Sequence, residues 1–486
     1  MQFTEENIRK LFGPEAAEDE DISRLKEYYF KGTLYDKVHN DLPLRILVGH
    51  KGIGKSATFK ISHYDNLEAN NISVWIRPDD IMEICNDEQH PLLQRIRDWK
   101  QGLLNIIFHK VMDNLNVQTK LDNKVDEAIN CTGKLIANLI DIFSGRIKKY
   151  ADIKPVENAT ISTFLNKKKI YVYIDDLDRG WEGTEHGVKR ISALLNASRD
   201  ITNDNPGLCI RISLRSDVYF LVRTSDESTD KIEGAVIWYT WTQHQILVLL
   251  AKRIQLFFGH DTSEEEISKM PQSQIAEFYN PVFEYMFHAK GKWSNIPTYK
   301  MLASMIRRRP RDLIKICTLA ARKAYERGHS KIDSEDFEDN FDYYSQERLQ
   351  DTINEYKSEL PDIERLLLGM KPSKRERKTR DAFVYSTEDL LKKIDIISKD
   401  VPFLFSNKKV ASISDLAGFL YKINFLVAKK RIVRTKYIDR KYFEEHKYLS
   451  NSFTDFGYKW EVHPAFRWAL YPDGGEDIFA SLAVEQ

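Results

Sequence analysis

The chain has 486 residues, 42% hydrophobic and 30% charged, as in ordinary folded proteins, and this length predicts two to four domains. Lysine plus arginine and aspartate plus glutamate both total 73, so the net charge of zero favours no particular partner. The four cysteines are scattered, so we expect neither disulfides nor a zinc site. The N-terminus is too polar for a signal peptide, and no apolar run approaches about 18 residues. We therefore expect a cytoplasmic protein without membrane contact.

Strand and helix patterns alternate along the first half of the chain. An acidic helix is predicted within residues 1–42. Short apolar runs predict buried strands at 44–48, 72–76, 169–176, 208–214 and 235–241. Helical patterns separate them, notably from Pro91 to about Tyr150 and at 187–198. This alternation predicts a parallel α/β sheet covered on both faces.

The second half of the chain has a different pattern. Beyond about residue 245 the strand signals fade and helices dominate, including one that ends at Gly328. Residues 371–380 are polar and basic, as in a linker. After residue 381, strand or hairpin segments at 425–437 and 458–470 stand beside helices. We therefore expect helical and α+β regions after the sheet.

Residues Gly49 to Ser56 read GHKGIGKS and fit the phosphate-loop pattern G-x-x-x-x-G-K-S. Glycines let backbone N–H groups turn toward phosphates, lysine neutralises the β- and γ-phosphates, and the hydroxyl holds Mg²⁺. A strand precedes this loop and a helix pattern follows it, as the motif requires. The predicted ATP ligands are Gly49, Gly52, Ile53, Gly54, Lys55, Ser56 and Ala57, with Ser56 also a metal ligand. The alternative is a solvated glycine turn.

Two carboxylates end the predicted strand at 169–176. Asp175 is predicted to hold Mg²⁺ through water, and Asp176 stands where many ATPases place a glutamate that polarises the attacking water. Because aspartate is shorter than glutamate, we expect slow hydrolysis of ATP to ADP and phosphate. An acidic strand end without catalytic function is the alternative.

Arginines mark two further candidate positions. Arg215 ends the predicted strand at 208–214, beside the expected γ-phosphate, and the alternative is a surface arginine capping the next turn. The segment 307–311, RRRPR, begins a helix, where Pro310 or Arg311 could contact the nucleotide as part of a lid. The alternatives for this segment are a solvated basic turn or a nucleic-acid contact.

The segments GHKGIGKS, IDDLDR, SLRSDVY and RRPRDLIK, in this order, resemble those of bacterial P-loop ATPases of the STAND and KAP type. Ala17, Glu18 and Asp19, with YYF at 28–30, resemble an N-terminal signature of stand-alone members. STAND proteins are in turn similar to AAA+ and origin-recognition ATPases. The resemblance implies that Arg215 and Arg311 sense phosphate and that Pro310 lies near the base.

The resemblance also implies an architecture. The fold class is α/β, a P-loop NTPase parallel sheet with a helical lid and a C-terminal winged-helix-like α+β domain. The domain boundaries expected from it are 1–42 for an N-terminal helical segment, 43–245 for the P-loop core with a helical insertion at about 88–160, 246–370 for the lid, 371–380 for a basic linker and 381–486 for the winged-helix-like domain.

Three functions remain open from the sequence. The resemblance implies an ATP-driven switch that self-associates or signals to a partner protein, as in antiviral defence. Basic clusters at 371–380 and 428–441 support a DNA-binding ATPase of initiator or transposition-regulator type, although a flexible linker and a charged wing are the favoured explanation of these clusters. A GTPase or small-molecule kinase is less favoured, because NKKK at 166–169 lacks the guanine-reading aspartate and TKLD at 119–122 follows a helical pattern.

Overall fold

The computed structural model describes residues 1–115, 118–119, 134–144, 151–152, 158–225, 227–260, 263–379, 381–431, 438–447, 449 and 457–483. Within these ranges the strands are β1 (Leu44–Gly49), β2 (Ile72–Ile76), β3 (Gln118–Thr119), β4 (Ala151–Asp152), β5 (Ile170–Ile174), β6 (Leu208–Arg215), β7 (Val236–Trp238), β8 (Met286–His288), β9 (Ser294–Pro297), β10 (Val384–Tyr385), β11 (Leu426–Arg431), β12 (Ile438–Lys441) and β13 (Lys459–Val462).

The α-helices of the same ranges are α1 (Glu5–Phe12), α2 (Ile22–Tyr28), α3 (Thr33–His39), α4 (Lys55–Glu68), α5 (Pro78–Ile81), α6 (Leu92–Asn114), α7 (Leu135–Phe143), α8 (Asn158–Lys167), α9 (Glu185–Asp204), α10 (Ser216–Ser225), α11 (Gln243–Phe257), α12 (Glu264–Lys269), α13 (Gln272–Ile275), α14 (Thr298–Met305), α15 (Pro310–Arg327), α16 (Ser334–Glu338), α17 (Phe341–Tyr356), α18 (Ile363–Gly369), α19 (Thr387–Ser398), α20 (Ile413–Lys422), α21 (Arg467–Leu470) and α22 (Gly475–Ser481).

The chain divides into two compact units. The sheet unit comprises Lys31–Lys51 and Lys55–Tyr239. The helix-rich unit comprises Met1–Phe30, Gly52–Gly54 and Thr240–Gln486. The five domain ranges expected from the sequence stay predictions.

The sheet unit is built on five parallel strands in the order β2-β5-β6-β1-β7. Every residue of β5 is buried, as a strand covered on both faces requires. The register pairs Gly49 with Arg215 and Ile174 with Ile212, so that the carboxyl ends of β1, β5 and β6 lie at one edge. The predicted parallel α/β sheet is therefore confirmed, with strand bounds within a few residues of those expected.

Two long helices, α6 and α9, pack against each other in the sheet unit. Leu103, Ile107 and Val111 recur at four-residue spacing on α6, which places them on one face, and all three are fully buried. On α9 the side chains of Leu194 and Ile201 are also fully buried and belong to the same core. This apolar periodicity is the pattern that predicted helix from Pro91 onward.

A buried arginine fixes the segment that leads into β1. Arg211, in the middle of β6, is fully buried, and burial lowers the pKa of its guanidinium. It donates hydrogen bonds to the carbonyl oxygens of Val38 at 2.7 Å, Leu42 at 2.8 Å and Asn40. These backbone carbonyls satisfy the buried charge, and the bonds tie the end of α3 and the segment before β1 to strand β6.

The helix-rich unit is centred on α15, whose apolar face includes Leu313, Ile316 and Ala320, all fully buried. Pro310 is its first residue, where the missing N–H is not needed. Gly328 ends it in the left-handed region, with φ of +71°, so the predicted helix end is confirmed.

The C-terminal part of the helix-rich unit has an antiparallel sheet in the order β10-β13-β11-β12. Glu461 on β13 is fully buried and pairs with Lys429 on β11 at 3.0 Å, Arg440 on β12 at 2.9 Å and Arg467 at 2.5 Å. Burial alone would raise the pKa of Glu461, but these three cations hold it well below its ordinary value. One carboxylate therefore joins three segments of this region.

Two short segments differ from the sequence-based expectation. The acidic helix begins only at Ile22, because Asp21 accepts hydrogen bonds from the N–H groups of Ser23 and Arg24 and so acts as its N-cap. In the predicted linker, Arg377 lies 4.1 Å from the ring centre of Tyr471, so part of the linker's charge is used within the fold.

The cysteine and membrane expectations can be compared with the described residues. Cys85, Cys209 and Cys317 are free and buried, while Cys131 lies outside the described ranges. Among the helices described, none has both the length and the apolar character needed to cross a membrane.

Candidate nucleotide-binding site

The loop after β1 takes the backbone conformation that its glycines allow. Gly52 and Gly54 have φ of +76° and +102°, values that residues with a Cβ rarely adopt. Helix α4 begins at Lys55, directly after the second of these glycines. The N-terminus of a helix carries a partial positive charge and unpaired N–H groups, so the loop ends where an anion is favoured.

The Lys55 side chain is held inside this loop. Its Nζ donates to the carbonyl oxygens of Gly49 at 2.9 Å and His50 at 3.2 Å, and the residue is only 9% exposed. Ser56 follows as the second residue of α4 and is half-buried, and Ala57 is buried. The amine that the motif assigns to phosphate is thus fixed within the curve of the loop.

The tip of the loop, Gly52–Gly54, groups with the helix-rich unit. The backbone N–H of Arg311 donates to the Gly52 carbonyl at 3.4 Å, and a Cβ on Gly52 would lie 3.0 Å from that of Arg311. Trp241 donates its indole N–H to the Ile53 carbonyl at 2.7 Å. Arg311 thus contacts the motif itself, while nucleotide contacts by Pro310 and Arg311 stay predictions.

The two carboxylates after β5 have different environments. Asp175 is 5% exposed and accepts a hydrogen bond from the Ser213 hydroxyl on the neighbouring strand β6. Asp176 is exposed and has φ of +62°, the left-handed region that is uncommon outside glycine and often marks functional positions. The strand ends at Ile174, so both aspartates lie just beyond the sheet edge. Their metal and catalytic roles stay predictions.

Arg215 is paired at the end of β6. Its guanidinium contacts both carboxylate oxygens of Asp217, at 3.0 and 2.6 Å, and lies 3.3 Å from Asp178. Asp217 is fully buried and the Arg215 side chain is 13% exposed. Arg215 is thus largely buried, and its contact with Asp217 in the first turn of α10 leaves open the alternative that it caps this turn. These contacts join the IDDLDR and SLRSDVY segments, a pairing that the sequence did not reveal.

His50 is a further residue of the loop that the sequence did not single out. It is 3% exposed, and its Nδ1 lies 3.0 Å from the hydroxyl of Ser216, which directly follows Arg215. The motif tolerates most residues at this position, so only the fold shows the connection between the loop and the end of β6.

The RRRPR segment is partly a buried ionic cluster. Arg307 donates to Asp312 at 2.8 and 3.0 Å, Arg348 donates to the same carboxylate at 2.8 Å, and Arg309 donates to Glu355 at 3.0 Å. Arg307 and Arg309 are each 2% exposed. A solvated basic turn is therefore wrong for these two arginines, because their acidic and basic partners on α15 and α17 enclose them.

The predicted basic cluster at 428–441 is divided by its contacts. Lys429 and Arg440 pair with buried Glu461, and Lys441 lies 3.0 Å from Asp439. Arg431 is exposed. Other predicted members lie outside the described residues, namely Arg434, Lys436 and Tyr437. The positive charge available to a nucleic acid is smaller than the sequence indicates.

A histidine and two carboxylates also meet in the helix-rich unit. Nδ1 of His329 lies 3.0 Å from Asp336 and 3.3 Å from Asp333. Asp336 also pairs with Arg327 at 3.0 Å, and Asp333 is the N-cap of α16. These contacts give the cluster a structural role at the end of α15 and the start of α16.

The topology defines the class of fold. Strand β6 lies between the strand of the phosphate loop and the strand that precedes Asp175, and a helix begins directly at the lysine of the loop. A parallel sheet with this loop at the carboxyl end of a central strand is the fold of P-loop ATPases.

Comparisons with known proteins give several similarities. Residues 244–353 match the FunZ-associated C-terminal helical domain. The chain is 24% identical over 351 residues to an 80.3 kDa protein assigned to transposon gamma-delta in Escherichia coli (strain K12), a match covering 66% of this chain and 48% of that protein. The chain thus spans about half the length of this relative.

Two solved structures are similar at low identity. A Walker-type ATPase of Pyrococcus abyssi is 12% identical, with 82% of this chain and 91% of that chain covered and a TM-score of 0.40. The ORC2 protein of Aeropyrum pernix is 10% identical, with 95% of each chain covered and a TM-score of 0.39.

Proposed function

We propose that this chain binds ATP with Mg²⁺ and hydrolyses it slowly, and that the bound nucleotide switches its association with itself or with a partner protein. The observation that carries the proposal is the Lys55 amine, held by the Gly49 and His50 carbonyls at the start of α4. Phosphate oxygens form stronger, charge-assisted bonds with an ammonium group than neutral carbonyls do. The amine can therefore exchange these carbonyls for a nucleotide.

The metal and catalytic assignments belong to the same proposal. Ser56 and buried Asp175 fit a Mg²⁺ site, because the ion prefers oxygen ligands and Ser213 already orients the carboxylate. Bound Mg²⁺ would supply charge neutralisation on the phosphates. Exposed Asp176 is the residue proposed to orient the attacking water.

The pairing of Arg215 supports a switch. A γ-phosphate near the end of β6 would compete with Asp178 and Asp217 for its guanidinium. The Asp178 contact is the longer of the two, at 3.3 Å, so it is the one we expect to yield first. Breaking the contact between Arg215 and Asp178 would free the segment after Asp176 in the ATP state. The proposed switch belongs to antiviral signalling of the STAND type.

The first test is ATP affinity, measured by calorimetry on the full chain. Lys55→Ala is expected to weaken ATP binding at least about 100-fold, because it removes a buried charged donor to phosphate. Lys51→Ala is the matched control, since Lys51 lies in the same loop but is exposed. Similar ATP affinity for the Lys55 variant and the parent would reject the site.

The second test is the mass in solution, by light scattering without nucleotide, with ADP, and with ATP plus Mg²⁺, each with and without a DNA duplex. A mass change with ATP alone supports the switch. A change only with DNA, with binding that weakens steeply in salt, supports the alternative, a DNA-binding ATPase of initiator or transposition-regulator type. The relative assigned to a transposon favours this alternative.

A further inference from the structure

A cavity of about 320 Å³ lies within the helix-rich unit, between α1, α2 and α11. Its lining includes three cationic side chains, Lys10, Arg24 and Arg253, and one carboxylate, Glu27. The volume is in the range of pockets that hold small organic molecules. Charge and volume together are those of a site for a small anion.

The apolar part of the lining consists of Leu11, Leu256 and Phe257, together with the ring of Tyr28. Burial is the main cause that raises the pKa of Tyr28 to about 12. Its hydroxyl donates to Glu20 at 3.0 Å, so its polar end is used and its ring remains as a surface. A ligand for this cavity therefore needs an apolar body as well as a negative charge.

Arg253 is the residue that indicates a ligand. It is 9% exposed, and its Nε and Nη1 atoms are fully buried without a hydrogen-bond partner among the described residues. The guanidinium carbon lies 4.1 Å from the Tyr28 ring centre, and burial lowers the pKa of the group. The nearby Glu20 carboxylate offsets part of this positive charge, but buried guanidinium nitrogens without hydrogen bonds are costly and call for an explanation such as a ligand.

The backbone leaves room for this arginine. Gly13 ends α1 with φ of +72°, and a Cβ there would lie 3.0 Å from Nη1 of Arg253 and 3.2 Å from the Tyr28 hydroxyl. Arg24 is held by donating to the carbonyl oxygens of Arg9 and Lys10. Lys10 also pairs with Glu6 at 2.5 Å, which leaves the two arginines as the stronger anion partners.

We propose that this cavity binds a small organic anion, a carboxylate or a phosphate monoester on an apolar body, with Arg253 as its charge partner. The guanidinium would donate N–H groups to the oxyanion, and the ring and aliphatic side chains would cover the apolar body. The site is separate from the phosphate loop and needs no nucleotide.

The test is calorimetry on the full chain with three probes of similar shape, phenylacetate, phenyl phosphate and neutral phenylacetamide. Phenylacetate or phenyl phosphate is expected to bind saturably, and the amide at least about tenfold more weakly. The better of the two acids identifies the oxyanion. Phenyl phosphate is also titrated into Lys55→Ala, where its binding should persist if this cavity rather than the phosphate loop holds it.

Variants locate the bound probe. Arg253→Met is expected to lose at least about tenfold in affinity, while Lys26→Gln, on the same helix as Arg24 but outside the lining, should remain within about twofold. If circular dichroism shows that Arg253→Met does not fold, Leu256→Trp is used instead. Leu256 is half-buried, so the larger ring should fill the cavity and abolish binding. Binding that is unchanged in the folded variant, equal for acids and amide, or undetectable for every probe would overturn the proposal.

Discussion

Replacing Asp312 by asparagine tests whether the RRRPR segment is a structural cluster. The Asp312 carboxylate is 1% exposed and accepts hydrogen bonds from Arg307 at 2.8 and 3.0 Å and from Arg348 at 2.8 Å. Asp312→Asn keeps the shape of the side chain but leaves the buried Arg307 guanidinium without its anion and Arg348 with only Asp351 within 3.1 Å. Breaking a buried pair in this way costs about 3 kcal/mol or more in the free energy of unfolding.

The assay is thermal and urea unfolding followed by circular dichroism. About 3 kcal/mol corresponds to a drop in Tm of about 6 to 12 °C for a unit of this size. Asp362→Asn is the matched control, because Asp362 is 56% exposed and 3.9 Å from Arg365, and such a pair contributes less than about 1 kcal/mol. Equal unfolding temperatures for Asp312→Asn and the parent would refute the structural role.

The same substitution predicts a pH dependence. Burial would raise the pKa of Asp312, but Arg307 and Arg348 hold it below the ordinary value of 3.8. The carboxylate therefore contributes its full stability above the ordinary value and loses it as the pH falls toward the lower pKa of the folded state. The difference in the free energy of unfolding between the parent and Asp312→Asn should therefore be constant from about pH 5 to 8 and should shrink in stronger acid.

Three further substitutions address the phosphate site. Asp176→Ala is expected to slow phosphate release by about tenfold to 100-fold while ATP affinity changes little, and equal rates would remove its catalytic role. Gly52→Ala forces a strained φ and a contact with Arg311, which should cost about 1 to 2 kcal/mol in the free energy of the loop conformation. ATP binding, measured by calorimetry, should therefore weaken by about tenfold. Unchanged affinity would contradict this. Ser213→Ala removes the donor to Asp175, so the Mg²⁺ concentration for half-maximal ATP binding should rise, and an unchanged concentration would argue against Asp175 as a ligand.

Local patterns predicted much of the sheet unit. The runs at 44–48, 72–76 and 208–214 became β1, β2 and β6 almost residue for residue, because strands buried on both faces are largely apolar. The predicted strand at 235–241 is shorter, Val236–Trp238. The parallel register then brings Gly49 opposite Arg215, as expected for residues at strand ends.

Long-range ion pairs account for what the sequence did not reveal. Arg309 looks like a surface residue in the sequence, yet its partner Glu355 stands 46 residues away on α17. Asp178 and Arg215 likewise lie on different elements. Charge pairing between distant segments has no local periodicity, so only the fold shows which charges are buried.

The position of Glu461 has a consequence for synthesis of the chain. Lys429 and Arg440 precede it in sequence, and Arg467, whose Nη1 lies 2.9 Å from the Ser481 hydroxyl, follows it. On the ribosome, the two earlier cations emerge before the carboxylate that neutralises them. The ion pairs of β11 and β12 can therefore form only after Glu461, Arg467 and Ser481 have left the exit tunnel, so this region is expected to become resistant to protease only from that point of synthesis.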